Sequence, residues 1–467
     1  MQGGSDPHLR RKPPRHPRLF VSRHLSPERI FILSFAGVIF AGAFLLWLPF
    51  SAAQHPLPWV DALFQSASAV CVTGLASIDV SRDLSRAGQI VLIFLFQVGG
   101  LGILTFSAVF FVILGRGLAS KEHDIMQSVF LYAPRRDLAS ILKFIFLSTF
   151  LYEGVGTLVL WARFSQDFPW GEALYKAVFH AISAFNNCGF SLFSDSFVSY
   201  QGDPIVNLTV MGLIVAGGIG FIVHYELHLR VFGKQRRLSV HTKVVLIASG
   251  LLIVVGAVLF FVFENDRILK DLPWQNRVLA SLFQSITPRT AGFNTVDIGM
   301  LANETILLMI TLMFIGASPG STGGGVKTTS ASLLFLIMWS RLRGREDVNI
   351  FNRTIPRELL QRTISIMLAA TLSICFIMSV LLLSADHSGV PSESRHRFVE
   401  YVFETTSAFA TVGLSMNLTP SLNTPQKLAI ILMMFAGRVG PLTLAFSLAR
   451  MVAKRSFAYA EEGVMVG

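Results

Sequence analysis

The stretch ALFQSASAVCVTGL, residues 62–75, decides how this chain folds, because it returns three more times. At 177–190 it reads AVFHAISAFNNCGF, at 281–293 SLFQSITPRTAGF, and at 401–414 YVFETTSAFATVGL. Each copy has a Phe, a Ser or Thr four residues on, then Ala or Pro, and ends in Gly followed by Leu or Phe. The closing glycines are Gly74, Gly189, Gly292 and Gly413; Phe to Gly is ten residues in three copies and nine in the third. Four degenerate copies about a hundred residues apart make internal repetition the first fact to explain. Each copy is too short to cross a membrane, yet each lies between two long apolar runs. Helix, half-crossing loop, helix, four times over, predicts an all-α membrane protein with four helix–re-entrant helix–helix repeats around a single pseudo-fourfold pore.

Composition fixes the class. Hydrophobic residues make up 52% of the 467, 14% are charged, and the mean hydropathy is +0.58. A soluble domain carries about 25% charged residues. Apolar runs of spanning length, about 20 residues, cover roughly 30–50, 88–114, 139–162, 205–229, 243–263, 305–338, 364–385 and 427–452. The expected divisions are a disordered arm (1–24), four repeats (25–117, 138–232, 240–343 and 358–455) and a C-terminal tail (456–467). The Pro-rich arm has no apolar core and reads as a cytoplasmic tail, not a signal peptide.

The net charge of +11 raises nucleic acid as a partner, but its placement points elsewhere. Of the 39 Lys and Arg, 25 fall in the arm to Arg29, near 115–137, 230–243 and 341–362, and near the C-terminus from Arg450 to Arg455. These are the ends and the connections between repeats, so the positive-inside rule puts both termini in the cytoplasm. No nucleic acid is expected, and the lipid bilayer is the surrounding partner. Cys71, Cys188 and Cys375 form no CxxC, which argues against a disulfide framework or zinc site.

A bare cation in hydrocarbon is prohibitively unstable, so a conduction site must replace its water with oxygen ligands. Backbone carbonyls do so without adding net charge. Turning successive carbonyls the same way needs a residue that accepts positive φ, which is glycine's property. The expected filter is therefore Val72, Thr73 and Gly74; Asn187, Cys188 and Gly189; Thr290, Ala291 and Gly292; and Thr411, Val412 and Gly413. The short helices would aim their negative C-terminal ends at the ion. Pro58-Trp59, Pro169-Trp170 and Pro273-Trp274 open the first three; the fourth repeat lacks the pair.

A second set of glycines follows 24 to 28 residues later: QVGGLG at 97–102, VAGGIG at 215–220, FIGASPGSTGGGVKTTS at 314–330 and FAGRVG at 435–440. Small residues let membrane helices pack closely. The third run is too long for a simple kink, and irregular backbone at membrane depth must line water or be buried in protein. GSTGGGVKT looks like a phosphate loop, but that motif needs Lys directly after its second glycine, and here Val326 intervenes.

With these residues in view, the sequence resembles the membrane subunits of the Trk/Ktr/HKT superfamily of potassium transporters, most closely the short Ktr type, since no extra hairpin precedes repeat one. The likeness covers almost everything from Leu25 to the tail. It implies K⁺ bound at the filter glycines, and Gly74 resembles K⁺-selective members where sodium-favouring plant relatives carry serine. It further implies an intramembrane gating loop over 316–329, with Gly316, Ser318, Gly320, Ser321, Thr322, Gly323, Gly324, Gly325 and Lys327 as gate residues together with Arg438. A homodimer on a cytosolic ring of nucleotide-binding (RCK-type) regulatory subunits, in the plasma (inner) membrane, is implied as well. No organic cofactor is expected in this chain.

Alternatives stay open at this point. Na⁺ could be the coupling or activating ion, or the transported one. Arg438 could pair with a carboxylate. Glu153 and Glu404 could bind an ion, relay a proton or brace backbone N–H groups behind the filters. Lys327 could pair with either of them or with a cytoplasmic-side carboxylate. His180 reads as a hydrogen-bonded packing residue. A membrane-embedded enzyme using Glu153 or His180 would need titratable groups clustered at one depth, and the spans offer scattered single charges; no enzymatic activity is expected.

Overall fold

A computed structural model of the chain describes residues 27–102, 138–233, 235–385 and 395–440. The arm 1–24, the connection 115–137 and the tail 456–467 lie outside the described residues. Four sets of helices follow one another. The first set is α1 (Pro27–Trp47), α2 (Trp59–Val70) and α3 (Arg86–Leu101). The second is α4 (Leu138–Phe164), α5 (Trp170–Phe185), α6 (Pro204–Gly218) and α7 (Phe221–Val231). The third is α8 (Val240–Glu264), α9 (Trp274–Ile286), α10 (Asn303–Phe314) and α11 (Thr328–Leu342). A two-residue-strand hairpin, β1 (Asn349–Ile350) paired antiparallel with β2 (Arg353–Thr354), leads to the fourth: α12 (Arg357–Leu383), α13 (Arg395–Ala410) and α14 (Thr424–Val439).

The repeated sequence explains the short helices. Pro58, Pro169 and Pro273 sit at the N-caps of α2, α5 and α9, where the missing N–H leaves no intrahelical bond unmade. The recurring phenylalanines Phe64, Phe179, Phe283 and Phe403 are all fully or almost fully buried. Burying each such side chain stabilises the fold by about 1.5–3 kcal/mol. The Ser or Thr four residues later lies one turn on, along the same face, and is also buried in every copy. Its hydroxyl ties the following loop: Ser68 and Ser407 accept from the Gly74 and Gly413 N–H at 3.0 and 3.1 Å, Ser183 donates to Phe190 O at 2.8 Å, and Thr287 donates to Phe293 O.

Several expected spans are not straight helices. Among the described residues, Ser140–Phe164, Val240–Glu264 and Arg357–Leu383 are single helices long and apolar enough to cross a membrane. The run 205–229 is two helices, α6 and α7, bent by 99° at Ile219 and Gly220. The run 88–114 is helical only to Leu101 within the described residues, and 427–452 only to Val439. The cause is one position in each glycine cluster: Gly102, Gly220 and Gly440 have φ of 82°, 94° and 95°. A helix cannot continue through a left-handed residue. The run 305–338 breaks over 315–327, so Thr328 and Thr329, expected in the loop, belong to α11.

The first and last quarters are joined through side chains. Lys427 of α14 donates to Asp61 of α2 at 2.6 Å, with both side chains 13% exposed. Removing one member of a buried pair leaves a desolvated charge and costs about 3–5 kcal/mol. Lys427→Met is expected to lower the thermal unfolding midpoint of the purified chain, and adding Asp61→Asn should restore most of the loss. A Lys427→Met protein that unfolds like wild type would show the pair to be inert.

Candidate functional site

The segment after each short helix adopts the same unusual backbone. Val72, Asn187, Thr290 and Thr411 have φ of 57°, 58°, 75° and 52°; two residues on, Gly74, Gly189, Gly292 and Gly413 have φ of 89°, 81°, 77° and 92°. The glycine conformation was expected; the left-handed residue before it was not. For β-branched Val72, Thr290 and Thr411 it is a strained state that the surrounding packing must enforce. Alternating the hand of successive residues turns their carbonyls to a common side.

The N–H groups of this segment face away from that side. Thr73 donates to Ser68 O at 2.8 Å, Cys188 to Ser183 O at 2.8 Å, Val412 to Ser407 O at 2.9 Å, and Ala291 to Thr287 O at 2.9 Å. No hydrogen bond among the described residues ends on a carbonyl of the twelve expected filter residues. A row of unpaired carbonyls at this depth is tolerated only where something else solvates them.

The four segments meet in a closed ring. A Cβ added to Gly74 would overlap the Cys188 carbonyl oxygen; on Gly189 it would lie 2.6 Å from that of Ala291; on Gly292 it would overlap that of Val412, and on Gly413 that of Thr73. Each glycine thus abuts the carbonyl just before the next repeat's glycine, in the order one, two, three, four and back to one. The same four glycines line one cavity of about 510 Å³, whose outer walls carry Asp79, Asp195 and Asp297.

On the other side of the ring lies the segment 315–327. Gly323 and Gly324 press against Thr290 and Thr411, so close that a Cβ on either would overlap a threonine hydroxyl. Gly325 packs on Ala410. The segment docks on the bend between α6 and α7: Ser318 N donates to Gly218 O at 3.0 Å, Thr322 N to Gly217 O at 3.2 Å, and Phe221 N to Gly320 O at 2.8 Å. Ser321 bonds back to Ser318 O at 2.6 Å, Ser318 shares a 2.9 Å hydroxyl bond with Thr328, and Gly316 abuts the Gly324 carbonyl. Lys327, whose partner the sequence left open, donates to Gly323 O at 2.8 Å and Gly324 O at 3.3 Å. Arg438 likewise bonds carbonyls: Thr322 O, Gly99 O and, at 3.4 Å, Gly100 O. One guanidinium therefore clamps the segment to the end of α3, using the planar fork that lysine lacks.

The sequence and the fold have counterparts. A family model described as TrkH, cation transport protein, matches residues 27–458. The chain belongs to the TrkH family. It is 38% identical over 430 residues to the Ktr system potassium uptake protein B of Bacillus subtilis, covering 91% of this chain and 93% of that one. It is 33% identical over 452 residues to the potassium/sodium uptake protein NtpJ of Enterococcus hirae, covering 96% and 98%. The crystal structure of the potassium transporter TrkH from Vibrio parahaemolyticus superposes with a TM-score of 0.69 at 21% identity, over 92% of this chain and 87% of that one, which shows a shared fold. TrkH-family proteins are membrane cation transporters and not enzymes.

The structure gives partners to the residues whose roles the sequence left open. Glu153 accepts from the Asn186 side-chain amide at 3.1 Å, and Glu404 accepts from the hydroxyls of Ser415, at 2.8 Å, and Thr419. Neither accepts from a backbone N–H group among the described residues. Glu264, which the sequence left unmarked, does so at the start of α10: its carboxylate accepts from Ala302 N at 2.9 Å and from the Thr305 hydroxyl. His180 is held as expected, Nδ1 donating to Lys176 O at 2.7 Å while Nε2 accepts from Leu192 N at 3.2 Å. Arg289, just before Thr290, is buried with its Nε lacking a hydrogen-bond partner among the described residues, and no feature of the spacing marked it.

Proposed function

We propose that this chain carries potassium into the cell along the axis enclosed by the four glycine segments. The observation that supports this reading most directly is the closed ring of carbonyls abutting Gly74, Gly189, Gly292 and Gly413, none of them satisfied by a protein donor among the described residues. Carbonyl dipoles of that kind replace the hydration shell of a monovalent cation without trapping it as a carboxylate ring would. On this reading Val72–Gly74, Asn187–Gly189, Thr290–Gly292 and Thr411–Gly413 form the filter, and the four helix sets are quasi-equivalent quarters around one pore. The segment 315–327, with Lys327 and Arg438, is the gate: it lies across the axis directly behind the filter, and both cations place fixed positive charge in the ion's path.

The name Ktr system protein B of the Bacillus relative fits a system with a partner subunit; by the resemblance to Ktr-type subunits that partner is a cytosolic nucleotide-binding one and the source of regulation, with this chain forming a homodimer and its termini cytoplasmic. A second reading, sodium permeation or coupling, is favoured by the potassium/sodium name of the Enterococcus relative. Flux of K⁺, Rb⁺ and Na⁺ into vesicles holding the purified chain separates the two. Potassium and rubidium are expected to exceed sodium by about tenfold or more, a discrimination of about 1.4 kcal/mol. Equal K⁺ and Na⁺ flux would overturn the potassium reading in favour of the second; flux of neither ion above empty vesicles would overturn both.

A further inference from the structure

The last turn of α11 and the hairpin β1–β2 enclose a cleft of about 250 Å³ that the transport path does not use. α11 starts at the gate segment and runs 15 residues, so its far end stands about 22 Å from that segment. The cleft has two chemically distinct halves. One is apolar, with Leu336, Trp339 and Val348 in its wall. The other presents Arg343 and Arg345.

The charges are unbalanced. Arg341, Arg343 and Arg345 are exposed and make no ion pair among the described residues. Asp347, the one carboxylate lining the cleft, is approached at 3.8 Å by Arg357, which also reaches Glu346 at 3.8 Å. The loop holding the arginines is built rather than slack: Arg345 N donates to Ser340 O at 3.0 Å, the Ser340 hydroxyl donates to Asp347 O at 2.8 Å, and the Arg343 guanidinium lies 4.7 Å from the Trp339 ring. Leading away from the cleft along α11 is an apolar strip, with Leu342 74%, Phe335 58% and Met338 52% exposed. In a protein crossing a bilayer, an apolar strip ending in a tryptophan and unpaired arginines marks the level where acyl chains give way to headgroups.

We propose that this cleft binds an anionic phospholipid, its phosphate held by Arg343 and Arg345 and its acyl chain lying on the strip from Leu342 to Phe335. Charge complementarity selects an anion, and the continuous apolar strip selects one that carries a hydrocarbon tail over a soluble phosphate. The inference does not depend on which ion the chain carries.

Delipidated protein in neutral detergent, titrated with phosphatidylglycerol or phosphatidylcholine and read by native mass spectrometry, tests it. Phosphatidylglycerol should be retained at about tenfold lower concentration than phosphatidylcholine. Arg343→Gln with Arg345→Gln should abolish that preference, and Lys270→Gln, an exposed cation near the start of α9, should leave it intact. Millimolar glycerol phosphate should fail to displace the lipid. Retention by the double variant equal to wild type, or displacement by glycerol phosphate alone, would overturn the proposal. So would a wild-type dimer that the double variant converts to monomer, because the face would then belong to a second copy.

Discussion

Gly413→Ala is expected to reduce potassium flux by about tenfold or more and to bring the K⁺/Na⁺ ratio close to one. Two physical effects act together. At φ 92° an L-residue is strained by about 1–3 kcal/mol. The added Cβ also overlaps the Thr73 carbonyl oxygen, and that oxygen belongs to the ring. The strain cannot be relieved locally, because Gly413 N is tied to Ser407 and Thr73 N to Ser68. One methyl group in repeat four therefore displaces a ring carbonyl of repeat one, which on the proposed reading is an ion ligand. Gly37→Ala and Gly250→Ala are the matched controls: neither has positive φ, and a Cβ on either meets nothing within 4 Å. They should transport normally. Full discrimination in Gly413→Ala vesicles would mean that the ring does not select the ion.

Arg438→Gln should have the opposite effect, raising basal flux by about tenfold. The guanidinium bonds Thr322 of the segment 315–327 and Gly99 and Gly100 at the end of α3, so its removal frees that segment on one side and, on the proposed reading of it as the gate, takes a positive charge from the path. A charge at membrane depth costs about 2.5–3.5 kcal/mol or more on insertion scales, and three carbonyls offset that cost here. Arg438→Lys separates the two effects. Lysine keeps the charge but cannot span three acceptors, so flux between wild type and Arg438→Gln is expected if clamping and charge both matter. Flux in Arg438→Gln equal to wild type would remove Arg438 from the gate.

Much of the protein is written in local pattern. The fourfold repetition, the Phe with its Ser or Thr one turn on, and the proline N-caps were legible because each is a pattern written within a dozen residues, whatever later buries it. The terminal glycine was legible for the same reason: positive φ is a property of one residue. The break near 314–330 announced itself by composition.

Other features depend on partners that spacing cannot name. The left-handed conformation of Val72, Thr290 and Thr411 runs against their own preference and exists because packing imposes it. The bend between α6 and α7 follows from Gly220 docking beneath Pro319 and Gly320, a hundred residues away. Glu404 finds hydroxyls, Lys327 and Arg438 find carbonyls, and Glu264 finds a backbone N–H, although the residue types alone allowed other partners to each. That four like segments exist and that glycine closes each one follows from the order of residues, since backbone sterics are local. That they close on one another in cyclic order, and what lies behind them, follows from folding, because a desolvated carbonyl or charge is satisfied by whatever the fold brings within about 3 Å, however distant in the chain.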